Sequence, residues 1–372
     1  MTPARRVALS CATAAVAISA VAVLATLSVR DWRVSTLVRM SAEEPMARLA
    51  RETDPGFAFV HFEAHYDGVY FYAIANDPFA RGEAHRLIDA APYRYGHAGY
   101  GWLAWIVSFG RASAVPAALL GLGLAGMAIA AYVSSLLARE LGWSGWWGLV
   151  VGLSPGAIFA VTVDTSEPVA MAATALALLA WTRRRWGWAG IALVAACLIK
   201  EPLLLVAAGL GVWEALRVLR GQRSPDLLRR GLAIVAGPVS FGAWAIYLRA
   251  TFGEWPFSHP SNEFLVFPFT GWADSLRKAA DLAMGSFDQS QIGNAAVALL
   301  PVTGAALLIG MVRAGRLRSE LDPIFLLYAL LIFSLNWLGL LYPKDLIRET
   351  TIPMALLPAV IASVRRSGPG EG

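Results

Sequence analysis

Long apolar runs separated by short polar breaks recur along the whole chain. A membrane-crossing helix needs roughly 20 predominantly apolar residues. That requirement places spans over residues 7–29, 112–138, 146–163, 167–182, 186–199, 203–219, 230–250, 292–312, 322–342 and 350–364. The pattern predicts an all-α membrane protein, a polytopic bundle of about ten transmembrane helices forming one domain over residues 1–372. Residues 97–110 are apolar too, but this shorter run reads as a half-span or interfacial helix. Two polar stretches, residues 30–96 and 251–291, are long enough to carry function or pack as elements of their own. In the first, "VSTLVRMSAEEPMARLARE" mixes apolar and charged positions as short amphipathic helices on a membrane surface do. Further on, Val69–Ala75 has helical character that Asn76, Asp77 and Pro78 bring to an end.

Composition sharpens this picture. Hydrophobic residues make up 57% of the 372 and charged residues 15%, a balance ill suited to a water-soluble domain of this size. The net charge of +5 comes from arginines spaced between apolar runs, with no basic face interleaved with aromatics, so no nucleic-acid partner is expected. With the N-terminus inside, alternate loops collect sixteen of the 31 Lys and Arg, whereas the short outer connections hold only Lys200, Lys344 and Arg348. Cytoplasmic loops are enriched in this way, which puts both termini in the cytoplasm and both long loops outside. Counting residues 97–110 as a full crossing would reverse that agreement. Arg5 and Arg6 precede an apolar run that is too long for a typical signal-peptide core, so it reads as an uncleaved first span, a cleaved signal peptide being the alternative. Cys11 and Cys197 both lie in apolar runs, which argues against a disulfide framework or a cysteine metal site. Arginine far outnumbers lysine, and with the abundance of Ala and Gly this points to a bacterial source and hence to the inner membrane.

Once the orientation is set, the charged residues that interrupt apolar sequence fall on the outer side: Asp67, Asp164, Glu167, Lys200, Glu201, Lys344, Asp345, Arg348 and Glu349. Ionisable groups at membrane depth are costly and tend to face a cavity, pair, or act on a substrate. Each also has a structural reading. Asp67 precedes a short helical segment and could cap it. In "DTSEP" Ser166 could cap a helix with Pro168 in its first turn, the favoured reading for Asp164 and Glu167. Lys200 and Glu201 in "LIKEP" form either an ion pair at a hairpin tip or a ligand-facing pair. Lys344 and Arg348 either snorkel at the outer edge or grip a phosphate. "HFEAH" spaces His61 and His65 four apart around Glu63, but it is not HExxH and lacks a third ligand, so ordinary loop histidines are the better reading. The chain carries no Gly-rich phosphate loop, Gly-x-Ser-x-Gly elbow or CxxC, which argues against nucleotide hydrolysis and serine hydrolase chemistry.

"YDGVYFYAIANDPF", then "APYRYGHAGYGWLAWIVSFG", "DTSEP" and "LIKEPLLLV", resemble the GT-C superfamily of polytopic glycosyltransferases, most closely the branch that adds the second mannose of GPI anchors and its bacterial relatives. In that branch Trp-Asp precedes an aromatic-rich segment; here Tyr66 and Asp67 take those places. The resemblance is best over the first long loop, extends to about Val206, and is one of layout beyond. It implies transfer of a sugar, such as mannose, from a polyprenyl-phosphate sugar donor to a hydroxyl of a glycan, glycolipid or protein acceptor on the extracytoplasmic face. It makes Asp67 the catalytic residue, a general base on the acceptor hydroxyl in an inverting displacement. The lipid phosphate leaves without needing a proton donor, stabilised by cations. Arg348 and Lys344 are the candidates, with Lys200 and Arg94. Tyr66, Tyr70 and Tyr72 would stack on the sugar or line its pocket. Many members carry two closely spaced acids that in some hold a divalent metal, Mg or Mn; here Gly68 and Val69 follow Asp67, so no metal ligand is assigned.

Two other classes share the lipid and the membrane face. A flippase or transporter of lipid-linked sugars would move the substrate without transfer, and such proteins tend to show paired repeats and interrupted midplane helices. A glycan ligase or polymerase using a lipid-diphosphate donor would leave a diphosphate carrier.

Overall fold

The computed structural model describes residues 2–60, 66–222, 225–258 and 265–362. Regular structure there is helical, with two isolated β-bridges, Ser41 to Val60 and Leu265 to Leu335. The chain divides into two compact units, one formed by Met1–Leu203 and Val235–His259, the other by Leu204–Ile234 and Pro260–Gly372.

The first unit contains α1 (Pro3–Ser28), α2 (Pro45–Thr53), α3 (Gly68–Asn76), α4 (Ala91–Tyr95), α5 (Gly99–Val107), α6 (Val115–Glu140), α7 (Trp147–Gly152), α8 (Pro155–Val161), α9 (Glu167–Thr182) and α10 (Trp186–Ile199). To the second belong α11 (Leu204–Leu219), then, beyond α12 (Leu227–Phe252), α13 (Thr270–Ala283), α14 (Phe287–Ala314), α15 (Leu321–Phe333), α16 (Trp337–Leu340), α17 (Pro343–Glu349) and α18 (Thr351–Ala362). The residues of α12 before Val235 count with the second unit and the rest with the first.

Among the described residues five helical stretches are long and apolar enough to cross a membrane by length and composition: Pro3–Ser28, Ala112–Glu140, Glu201–Leu219, Leu227–Phe252 and Phe287–Ala314. Glu167–Thr182, Trp186–Ile199, Leu321–Phe333 and Thr351–Ala362 are shorter apolar helices. Two expected spans are not single helices. The run 146–163 breaks into α7 and α8 because Pro155 has no N–H to continue a helix and opens α8 instead. The run 322–342 ends at Phe333, and Asn336 starts α16 by accepting a hydrogen bond from the Leu338 N–H at 2.9 Å. Residues 97–110 contain only the nine-residue α5, about 13 Å long, which is too short to cross.

How the helices bury themselves fits a bilayer. In α1 a stripe of Ala8, Cys11, Ala15, Ser19, Val23 and Leu27 is buried, while Leu9, Ile18, Val21 and Leu24 face outward. An apolar outer face with small residues at the contact is the pattern of helices packed in lipid. Cys11 and Ala15 meet Ala131 of α6, and both cysteines are free and buried. α6 is the hub of the first unit, packing on α1, α5, α7 and α9. In the second unit α14 packs on α13, α15 and α18, and a buried Glu214 holds Arg230 at 2.6 Å and Arg217 at 3.2 Å. The long polar stretches are not bare loops: α2 buries Met46, Ala47 and Ala50, and α13 buries Trp272, Ser275 and Ala279.

Candidate functional site

Asp67 opens α3 at the N-cap position, yet its side chain makes no cap hydrogen bond, so the capping reading that its position allowed is not realised. The turn closes on backbone instead, Val69 N–H to Tyr66 C=O and Tyr70 N–H to Asp67 C=O, both at 3.1 Å. What fixes Asp67 is its neighbour. A Cβ at Gly68 would lie 2.7 Å from the Val163 carbonyl oxygen and 2.8 Å from that of Val38, so only glycine lets the chain lie this close to both. The Tyr66 ring meets Phe159 edge-on at 5.7 Å on the same side.

With its backbone pinned, the carboxylate of Asp67, 32% exposed, faces Arg94 of α4, Oδ1 to Nη1 at 3.5 Å. Arg94 Nε reaches Asp89 Oδ1 at 3.4 Å, and its guanidinium lies 3.6 Å above the Tyr70 ring and 5.4 Å from that of Tyr93. Burial alone would lower the Arg94 pKa, but Asp67, Tyr70 and Asp89 raise it above its ordinary value, so the cation is permanent. Burial pushes the Tyr70 hydroxyl well up, keeping it neutral. The cluster is thus an arginine between two carboxylates, seated on an aromatic face.

Two of the aromatic candidates are buried. Tyr70 has its ring covered by Arg94 and seats that cation. Tyr72, two residues on and therefore on the far side of a helix, is buried in the core with its ring 5.2 Å from Phe57.

A second set of charges lies where α5 meets the end of α10. A Cβ at Gly99 would stand 2.8 Å from the Leu198 carbonyl and the Ile199 nitrogen, so glycine again permits backbone contact. This brings His97 Nδ1 to 3.2 Å from Glu201 Oε2, while Lys200 Nζ bonds Glu167 Oε1 at 2.8 Å. Lys200 and Glu201 therefore reach into two different partnerships, unlike the hairpin-tip pair considered from sequence. The His97 ring also contacts Tyr93, at 5.4 Å, which links this set to the Arg94 cluster.

Asp164 follows Val163 directly with a left-handed φ of 50°. It is 1% exposed, and neither carboxylate oxygen has a hydrogen-bond partner among the described residues. Burial pushes its carboxyl well above the usual range, as expected for a group that stays protonated. The helix start read from "DTSEP" stands, with Ser166 at the N-cap and Pro168 in the first turn of α9, but the Ser166 side chain makes no cap bond.

Asp77, which ends α3, has a structural task. Its Oδ1 accepts from Arg81 N at 2.8 Å and Gly82 N at 2.9 Å, and its Oδ2 lies 2.7 Å from His85 Nδ1. Burial alone would raise this carboxyl; the bonds from the His85 ring and the Gly82, Arg81 and His85 backbone hold it below the ordinary value.

Lys344 and Arg348 lie on α17 of the second unit, Arg348 with Nη2 3.3 Å from Glu349 Oε1. His61, Glu63 and His65 lie outside the described residues. Among the described residues no group of three His, Cys, Asp or Glu could hold a metal ion. Sequence reasoning missed Asp89, Tyr93 and His97; for Tyr93 and His97 the signal was the alternation of aromatic and ionisable residues in "APYRYGHAGY". No family model matches the chain, and no curated protein matches it.

Proposed function

We propose that the protein is a membrane glycosyltransferase of the GT-C kind, crossing the bilayer about ten times, with both termini cytoplasmic and the Asp67 cluster on the extracytoplasmic face of a bacterial inner membrane. α7 with α8, the shorter apolar helices and the five long ones would supply the crossings. The donor is a polyprenyl-phosphate sugar, and the acceptor a hydroxyl on a glycan, glycolipid or protein. The acceptor oxygen attacks the anomeric carbon as its proton passes to Asp67. The bond from that carbon to the phosphate oxygen breaks, and the lipid phosphate departs as an anion beside Arg94, with Lys200 the next cation.

One observation carries this reading: a carboxylate released from the helix cap, open to a third of its area, beside a half-buried arginine. A carboxylate suits a base, and the permanent cation next to it suits a departing phosphate. The test is Asp67→Asn in membranes supplied with a radiolabelled polyprenyl-phosphate sugar. Loss of a positioned base lowers the rate by about 10²–10⁴-fold. Undiminished transfer removes Asp67 from the chemistry.

A further inference from the structure

Three of the helices long enough to cross a membrane have an end in one region of the second unit: α11 stops at Leu219, α12 starts at Leu227 and α14 stops at Ala314. Gly221, with a left-handed φ of 76°, turns the chain away from α11 and leaves Arg220 at the corner. Arg220 Nη1 reaches the Leu317 carbonyl at 3.5 Å, tying the end of α11 to the turn between α14 and α15. Arg316 stands one residue before Leu317 in that turn. Asp322 Oδ2 holds the other side of the turn by accepting from Arg318 N at 2.6 Å and Ser319 N at 2.9 Å.

Charge here is sorted by depth. Five residues inside the end of α11, the buried Glu214 binds Arg230 at the start of α12 and Arg217 on its own helix, so its charge is already matched. At the surface, Arg220 and Arg316 are exposed and have no carboxylate partner among the described residues. A position just beyond the end of a crossing helix is at the depth of lipid headgroups.

Apolar side chains flank the two arginines on the bilayer side. Leu219 adjoins Arg220 and is 82% exposed, Leu228 and Leu232 fall four apart on one face of α12, and Val312 lies on the last turns of α14; all four are exposed. A soluble anion would meet the arginines and gain nothing from the leucines, and a plain hydrocarbon would gain from the leucines alone. An amphiphile with an anionic head meets both.

We propose that this corner binds one anionic phospholipid, its phosphodiester between Arg220 and Arg316 and its acyl chains against Leu219, Leu228 and Leu232. Basic pockets between membrane helices take such heads. The positive charge that Glu214 leaves unmatched at the surface disfavours a head carrying choline or ethanolamine. This lipid is a resident of the membrane, neither donor nor acceptor, and its binding does not depend on the chemistry assigned to Asp67.

The experiment mixes the purified full chain in detergent with equal amounts of dioleoyl phosphatidylglycerol and dioleoyl phosphatidylcholine and counts bound lipids by native mass spectrometry. One retained phosphatidylglycerol is expected. An arginine at a lipid surface is worth about a fivefold preference for an anionic head, so the pair gives roughly 25-fold, and Arg220→Gln/Arg316→Gln brings it to near parity. Arg5→Gln/Arg6→Gln makes the same charge change at exposed positions of α1 and leaves the preference as it was. A phosphatidylglycerol with a photoreactive chain labels peptides containing Leu219 or Leu228 in the unaltered protein, which is the readout should the first double variant fail to fold. A preference unmoved by Arg220→Gln/Arg316→Gln, an equal loss in Arg5→Gln/Arg6→Gln, displacement of the lipid by inorganic phosphate, or labelling confined to other helices overturns the proposal.

Discussion

Gly68→Ala tests the placement of Asp67 most directly. The added methyl would lie 2.7 Å from the Val163 carbonyl oxygen and 2.8 Å from that of Val38, about 0.6–0.7 Å short of ordinary contact at 3.4 Å. Both obstacles are backbone, so no side chain can swing aside. Overpacking of this kind costs about 1–3 kcal/mol, against the gain of up to about 1 kcal/mol that alanine brings to a helix. Relief must come from moving α3, and Asp67 moves with it. A displacement near 1 Å at a reacting group lowers rate by about 10²-fold. Thermal unfolding in detergent reads the first effect and sugar transfer in membranes the second. Because the rate loss is assigned to Asp67, Asp67→Asn/Gly68→Ala should transfer no more slowly than Asp67→Asn alone. A Gly68→Ala protein with unaltered thermal midpoint and rate refutes the reasoning, and a double variant much slower than Asp67→Asn shows that the damage runs elsewhere.

Three further outcomes follow from the same geometry. Asp77 has a depressed pKa, so its contribution is complete above the unfolded carboxylate value near 3.9 and is lost as pH falls through its lower folded value; the thermal midpoint should drop below about pH 4, and Asp77→Asn should cost about 1–3 kcal/mol at neutral pH and blunt that drop. Lys200→Met removes the cation 2.8 Å from buried Glu167 and should cost roughly 3–5 kcal/mol, with Glu167→Gln in the same chain restoring part of it; equal midpoints for the single and double variants would dissolve the pair as a stabilising unit. Asp164→Asn keeps the shape, the neutrality and the tolerance of left-handed φ, so its midpoint should stay within about 0.5 kcal/mol, while Asp164→Val loses at least about 1–2 kcal/mol to backbone strain.

Much of the helical layout is legible because apolar content over some twenty residues is a local property. Local chemistry also marks several ends, such as Asn76 and Asp77 closing α3 and Pro168 opening α9. The breaks at Pro155 and Asn336 were masked by the apolar residues on either side, which keep average hydropathy high even where hydrogen bonding is interrupted. At the site, Asp67 stands out because an acid among aromatics violates the local pattern. Arg94 was legible as a candidate cation, but its pairing with Asp67 across 27 residues was not, nor was that of Trp244 with Tyr95 across 149, because such pairings are decided by packing. Tyr70 and Tyr72 look equivalent in the sequence; half a helical turn separates a seat for a cation from a piece of core.

The first unit is not continuous along the chain: Val235–His259 joins Met1–Leu203 only after Leu204–Ile234 has been made. During synthesis, the aromatic wall of Trp244 and Tyr247, which meets Trp102 edge-on, emerges well after the turn that holds Phe79 and Arg81, so the rings of Trp102 and Phe79 wait in the nascent chain without their partners. A chain halted before Val235 would leave the translocon with the Pro78 and Tyr95 carbonyls, which accept from the Trp102 and Trp244 indoles, already placed but half of the aromatic wall unbuilt. Quality control that senses unpaired apolar surface would find its target there, and the timing of that single late helix would set when Trp102 first meets Trp244 and the aromatic wall closes.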